Sequence, residues 1–310
     1  DLASYYEKYG GFLLAASINK YVHIMLNKRF EESIRLSYSK TEIVNNIKEI
    51  EHRIFRESLR FAEIKKQVEI VSIADVPSNC GLGTSSTFTV ALLSALFSYK
   101  RNHKTLTELA ECACKIEIDI LKEPIGKQDQ YAAAFGGFNA YTFHKNGEVT
   151  VEPVNISEGA MMELQSNIFL FYLNKKRSAG DILKEQNKKT KDNNVDVVNR
   201  LHKIKEIGLH TRKIFEKNKI DEFGELLHEH WILKKGLSNK ISDAFIDEAY
   251  ELARQNGAMG GKVIGAGGGG FLLFYCPKEK SKLISAMKKI GLEPTWFTFE
   301  HEGVKNGFYN

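Results

Sequence analysis

The sequence predicts an α+β protein of two lobes, and three observations carry that expectation. The chain is 310 residues long, and domains average about 150 residues. Two-residue alternation marks some segments and helical spacing marks others. Near residue 155 the pattern starts afresh, so the lobes are expected at 1–155 and 156–310.

Residues 11–38, through GFLLAASINKYVHIML and ESIRLSY, alternate apolar and polar positions as strands of a half-buried antiparallel sheet do. Residues 42–60 carry few strong apolar anchors, which predicts a surface helix or excursion. KQVEIVSIADVP reads as a strand from about Val68 to Ala74, stopped by Pro77. A glycine loop then runs into SSTFTVALLSALFSYK, apolar on most faces and therefore a buried helix. Thr105 and Glu108 have the spacing of a capping box. The helix they open, with apolar residues at Leu106, Leu109, Ala110, Ala113, Ile116 and Ile120, ends by Pro124 and Gly126. Short strands follow around Phe138–Phe143 and Val149–Val154. The second half opens on the strand NIFLFYL and continues through a basic, helix-rich stretch with a solvated loop at 187–194. A helix over about Asp243–Asn256, a glycine cluster, the strand FLLFYC, the helix KEKSKLISAMKKIG and the strand PTWFTFE complete it.

Composition excludes several classes. Lys and Arg number 44 against 39 Asp and Glu, a surplus too small and dispersed for a nucleic-acid binder but suited to an anionic ligand. No run approaches the ~18 apolar residues of a membrane span. Cys80, Cys112, Cys114 and Cys276 have neither zinc spacing nor the pattern of a secreted disulfide framework, so a reduced cytoplasm is the expected setting. His228 and His230 would point apart on a helix, which favours packing over metal binding.

Three groups of residues carry chemistry. GAGGGG at 265–270 matches the dinucleotide-loop spelling, yet it lies between a helix and a following strand, the reverse of that motif. Its four consecutive glycines, Gly267–Gly270, exceed the need of a plain turn and point to a loop facing a substrate or nucleotide. Gly81-Leu82-Gly83-Thr84-Ser85-Ser86 lies between strand and helix, where backbone N–H groups, the positive helix end and three hydroxyls suit a phosphate. No Lys follows these glycines, so this is not the P-loop. Glu117 and Asp129 form a carboxylate pair in which one member could hold Mg²⁺ and the other accept a proton from an attacking hydroxyl.

Taken together, these blocks resemble the GHMP kinases, named for galactokinase, homoserine, mevalonate and phosphomevalonate kinases. PSNCGLGTSST at 77–87 is similar to the family's phosphate loop, GAGGGGF at 265–271 to its third motif, and Glu117 with Asp129 to its metal-and-base pair. YYEKYGGFLLAASINKYVHI (5–24), SYSKTEIV (37–44), GKQDQYAAAFGGFNAYTF (126–143), RSAGDILKEQ (177–186) and GAMGGKVIGAGGGGFLLFY (257–275) are similar to bacterial members acting on D-glycero-D-manno-heptose 7-phosphate.

The resemblance implies an N-terminal lobe like ribosomal protein S5 domain 2, a ferredoxin-like C-terminal lobe, and a site in the cleft between them. It implies ATP-dependent phosphorylation of the anomeric hydroxyl, giving a 1,7-bisphosphate for GDP-heptose synthesis and surface polysaccharide. Pro77, Gly81, Leu82, Gly83, Thr84, Ser85 and Ser86 would cradle ATP phosphates, Thr84 or Ser85 with Glu117 would hold Mg²⁺, and Asp129 would be the base. Asp1 is expected at sugar hydroxyls, and Gly267, Gly268, Gly269, Arg177 and Ser178 at the substrate phosphate. Family members begin with a further strand and a G-G-G-T-D turn, so a segment ahead of Asp1 is also expected. The implied partner is a small-molecule sugar phosphate, with neither nucleic acid nor membrane. A fucokinase- or galactokinase-like activity, or a non-catalytic sugar- and ATP-binding sensor, is the alternative.

Overall fold

The computed structural model describes residues 1–78, 80–175 and 179–307. The chain opens with α1 (Ala3–Tyr9), β1 (Gly11–Ala16), β2 (Val22–Lys28), β3 (Ile34–Ser37), β4 (Thr41–Val44), α2 (Arg53–Phe61) and β5 (Val68–Ala74). It continues through α3 (Thr84–Tyr99), α4 (Leu106–Cys114), α5 (Gln128–Phe135), β6 (Phe138–Phe143), β7 (Val149–Pro153), α6 (Glu158–Asn167) and β8 (Ile168–Tyr172). The last elements are α7 (Ala179–Lys191), α8 (Val195–Glu216), α9 (Phe223–Lys235), α10 (Ala244–Gln255), β9 (Gly260–Val263), β10 (Phe271–Tyr275), α11 (Lys280–Lys289) and β11 (Pro294–Thr295). Among the described residues, no helix is long and apolar enough to cross a membrane.

Two compact units emerge from the contacts, each built from pieces distant in sequence. Of the described residues, 1–16, 80–82, 138–175 and 179–299 form the first, while 17–78, 83–137 and 300–307 form the second. The grouping follows strand pairing rather than chain order. β1 pairs antiparallel with β6, Gly11 opposite Phe143 and Ala16 opposite Phe138, so residues 11–16 fall with the later half of the chain.

The first unit holds that sheet, in order β1-β6-β7, and a four-stranded sheet in order β11-β8-β10-β9. Every pair in the larger sheet is antiparallel. Counted from β8, its order is 4-1-3-2, the ferredoxin-like arrangement. Phe171, Leu272 and Phe274 point from one face into a core with Trp231, Tyr250, Ile246 and Leu283. Leu273 and Tyr275 alternate to the opposite face, where they meet Phe215, Leu227 and residues of the smaller sheet.

In the second unit the order is β2-β5-β3-β4. Helix α3 carries Phe88, Leu92 and Leu96 into a core with Ile34, Leu36, Ile70, Phe55 and Leu59.

Several sequence expectations need correction. The alternating strands of 11–38 do not share one sheet, and β3 runs parallel to β5, Ile34 opposite Val68. Residues 42–60 are no surface excursion: Ile50, Phe55 and Leu59 are all buried, because a few large anchors at helical spacing suffice. The loop expected at 187–194 is mostly the end of α7, where Glu185 pairs with Lys189 and buried Thr190 bonds the Gln186 carbonyl. The closing strand shrinks to Pro294–Thr295.

Candidate active site

The capping box at Thr105 and Glu108 starts α4 as its spacing predicts. The helix does not run on regularly toward Pro124. From Lys115 to Ile120 it widens into a π turn, a distortion that often marks functional positions. Glu117 lies in this turn and is only 1% exposed. Ser85 Oγ donates to its Oε1 at 2.9 Å and Gln130 Nε2 to its Oε2 at 2.7 Å. Burial pushes its carboxyl up, while hydrogen bonds from Gln130, Ser85, Ser86 and Thr89 favour the charged form. Among the described residues no basic side chain is paired with it.

Asp129 occupies the first turn of α5, whose N-cap is Lys127, so it is not the cap that its position could suggest. Solvent reaches it, yet protein surrounds it closely. Lost hydration, and then the charge of Glu117, push its carboxyl up to about 6. Gly83 adopts a left-handed conformation, φ 69°, as the N-cap of α3 and supplies no side-chain acceptor there. A Cβ at Gly83 would stand 3.1 Å from Asp129 Cγ. The end of the Gly81–Ser86 loop and the carboxylate are thus in contact within the second unit.

Two supports of this arrangement escaped sequence reasoning. Glu111 accepts from Lys127 Nζ at 2.7 Å and from the Tyr131 hydroxyl at 2.5 Å, fixing the start of α5. Residues 300–304 strap its end, through Gly137 N–H to the Glu300 carbonyl and Val304 N–H to the Ala134 carbonyl. Both join residues far apart in sequence, so only the adjacency of Gln130 to Asp129 offered a signal. A cavity of ≈360 Å³ also opens beside Ser85 and Glu117, lined by His52, Arg53 and Leu121 among others.

The remaining expected site residues divide as follows. Thr84 Oγ1 donates to the Pro77 carbonyl at 3.3 Å. Ser86 is buried with its hydroxyl toward Glu117, whereas Ser85 is exposed. In the first unit, a Cβ at Gly81 (φ 83°) would lie 2.9 Å from the Ile264 carbonyl oxygen, so Gly81-Leu82 lies directly on the start of the second glycine loop. Within that loop Gly268 N–H is taken by the Ile241 carbonyl at 2.7 Å, which leaves Gly267 and Gly269 as its expected anion donors. Asp1 lies half-buried just before α1. Arg177 and Ser178 lie outside the described residues.

Comparisons with known proteins identify the family. The family model described as the GHMP kinases N terminal domain matches residues 43–137, and that of the GHMP kinases C terminal matches 211–291. The chain is 33% identical to a D-glycero-alpha-D-manno-heptose 7-phosphate kinase of Campylobacter jejuni, over 99% of its own length and 94% of the relative's. A crystal structure of a D-glycero-D-manno-heptose 1-phosphate kinase from Bacteroides thetaiotaomicron superposes with TM-score 0.82 at 27% identity, covering 100% of this chain and 94% of that one. Lactococcus lactis galactokinase, solved with galactose, shares the fold at TM-score 0.70 and 19% identity, covering 95% of this chain and 88% of that one.

Proposed function

The chain belongs to the GHMP kinases, and on that premise we propose that this ATP-dependent sugar kinase phosphorylates the anomeric hydroxyl of a D-glycero-D-manno-heptose 7-phosphate. The product would be the 1,7-bisphosphate, an intermediate suited to making a nucleotide-activated heptose. The names of both heptose kinases support the sugar and differ in the phosphate position they give. The observation that carries the chemistry is the contact between Gly83 and Asp129 beside the buried, hydrogen-bonded Glu117.

In this reading backbone N–H groups of Gly81, Leu82, Gly83 and the first turn of α3 cradle the ATP phosphates. Asp129 takes the proton of the 1-hydroxyl. The sugar's O1 then bonds the γ-phosphorus as the bond to the β–γ bridging oxygen breaks, and ADP leaves. Glu117 and Ser85 offer the hard oxygen donors that Mg²⁺ prefers, with Thr84 the alternative hydroxyl, and a buried carboxylate lacking a basic partner suits a cation. Bound Mg²⁺ would supply charge neutralisation on the transferring phosphoryl oxygens. The protein's own work is positioning, held by Gln130 on Glu117 and by Glu111 on α5.

Coupled ADP-release assays with heptose 7-phosphate, galactose, fucose, mevalonate and homoserine test the reading. Turnover is expected with the heptose phosphate. Turnover with an unphosphorylated sugar alone would overturn the substrate while leaving the kinase.

A further inference from the structure

Three basic side chains of the first unit gather where β9 meets α9. A Cβ at Gly260 would stand 2.0 Å from the Gly224 carbonyl oxygen and 2.8 Å from His228 N, so that face of β9 rests on the helix backbone. Lys262 is two residues further along and therefore on the same face. His230 and Lys234 are one turn apart on α9. Lys234 Nζ donates to the carbonyls of Val263 at 2.9 Å and Gly265 at 2.6 Å, which ties it to the start of the glycine loop. That loop start is also where Gly81 of the phosphate loop packs.

Among the described residues no acid is paired with this cluster. The Lys262 side chain makes no hydrogen bond or ion pair among the described residues, and His230 Nδ1 is buried without a partner. Burial, the larger cause, and mutual repulsion push Lys234 and His230 well below their ordinary ranges, while burial alone brings Lys262 down to about 8. Basic groups held together without a counter-charge leave a place whose electrostatics improve when an anion enters.

We propose that His230, Lys234 and Lys262 form a phosphoryl-binding site that receives the phosphate already carried by the acceptor sugar. Lys262 and His230 would supply the direct donors, and Lys234 would set the loop start and add charge. The choice of acceptor phosphate rests on the function proposed above. A phosphomonoester fits three convergent basic groups better than a neutral sugar end does, because an arriving anion favours their protonated forms and gains charge-assisted hydrogen bonds from them. The site would therefore select a phosphorylated acceptor.

The test uses the full chain and Lys262→Gln, with Lys262→Arg as the charge-keeping control and Lys262→Met standing in should the Gln variant not fold. Calorimetric titration with inorganic phosphate, without nucleotide, is expected to weaken at least about 10-fold in Lys262→Gln and to recover in Lys262→Arg. In steady-state assays, the ratio of kcat/KM for heptose 7-phosphate to that for unphosphorylated heptose is expected to fall about 30-fold, mainly through KM. Unchanged phosphate affinity, equal losses on both sugars, or a rise confined to the ATP KM would overturn the proposal. Wild-type protein that turns over neither sugar would refute the substrate reading instead, and the phosphate titration would still decide the site.

Discussion

The role proposed for Asp129 is that of a base, and its surroundings set the pH at which it can be one. A carboxyl raised to about 6 by lost hydration and by Glu117 is ionised above that pH and protonated below it. The kcat/KM profile should therefore fall about tenfold per pH unit below about 6 and flatten above it; an acid limb near 4, the ordinary carboxylate range, would contradict the environment described. Asp129→Asn should lose about 10²–10⁴ in turnover while still binding ATP. The same shift has a stability consequence. A folded-state value above the unfolded one means that protonation favours folding, and this contribution is lost as pH rises through about 6. At pH 7.5 the neutral Asn variant should accordingly melt higher than wild type, and a lower Tm would argue against the raised carboxyl. Gly83→Ala would place a methyl 3.1 Å from Asp129 Cγ at a φ of 69°, so it should impair turnover more than it impairs folding. Some of this was legible in the sequence, because G-L-G before hydroxyls and a carboxylate pair are local signals. The hold of Gln130 on Glu117 was not, since nothing in a sequence says which neighbour of Asp129 turns inward.

Among the elements, α4 and its π turn divide what local sequence determines from what packing imposes. The Thr105 cap is a three-residue affair, and Thr105→Ala should cost about 1 kcal/mol in chemical denaturation. The widening at Lys115–Ile120 brings Glu117 inward, and no propensity predicts it; it is fixed by where Ser85 and Gln130 stand. A related lesson comes from α2, whose Arg53, Arg56, Glu57 and Arg60 make it read as a surface helix. Its Phe55 and Leu59 nevertheless have no solvent exposure, and both are packed in the core beneath α3. Leu59→Ala should thus destabilise by about 2–5 kcal/mol, whereas a surface position would lose well under 1. In α7 two buried polar residues, Gln186 just before the string NKKTKDNN and Thr190 within it, are hidden behind the charges around them.

For the molecule as a whole, the sequence conveyed the fold class and the family better than the grouping of its strands. Alternation reports that a segment is half-buried, not which partner buries it, and so β1 and β2 looked like neighbours although β1 pairs with β6 and β2 with β5. The glycine loops were legible because repeated glycine is costly unless a close approach needs it; Gly81 against Ile264 is such an approach. On the proposed function the modest positive charge also gains a meaning, since binding ATP and a sugar phosphate would need cations in particular places rather than in bulk. The central claim is that phosphate goes from ATP to the anomeric oxygen of a heptose that already carries one. Proton-coupled ³¹P NMR of the product made from heptose 7-phosphate tests it most directly. The account predicts a second phosphate resonance coupled to the anomeric proton; phosphate on any other carbon, or no product at all, would contradict it.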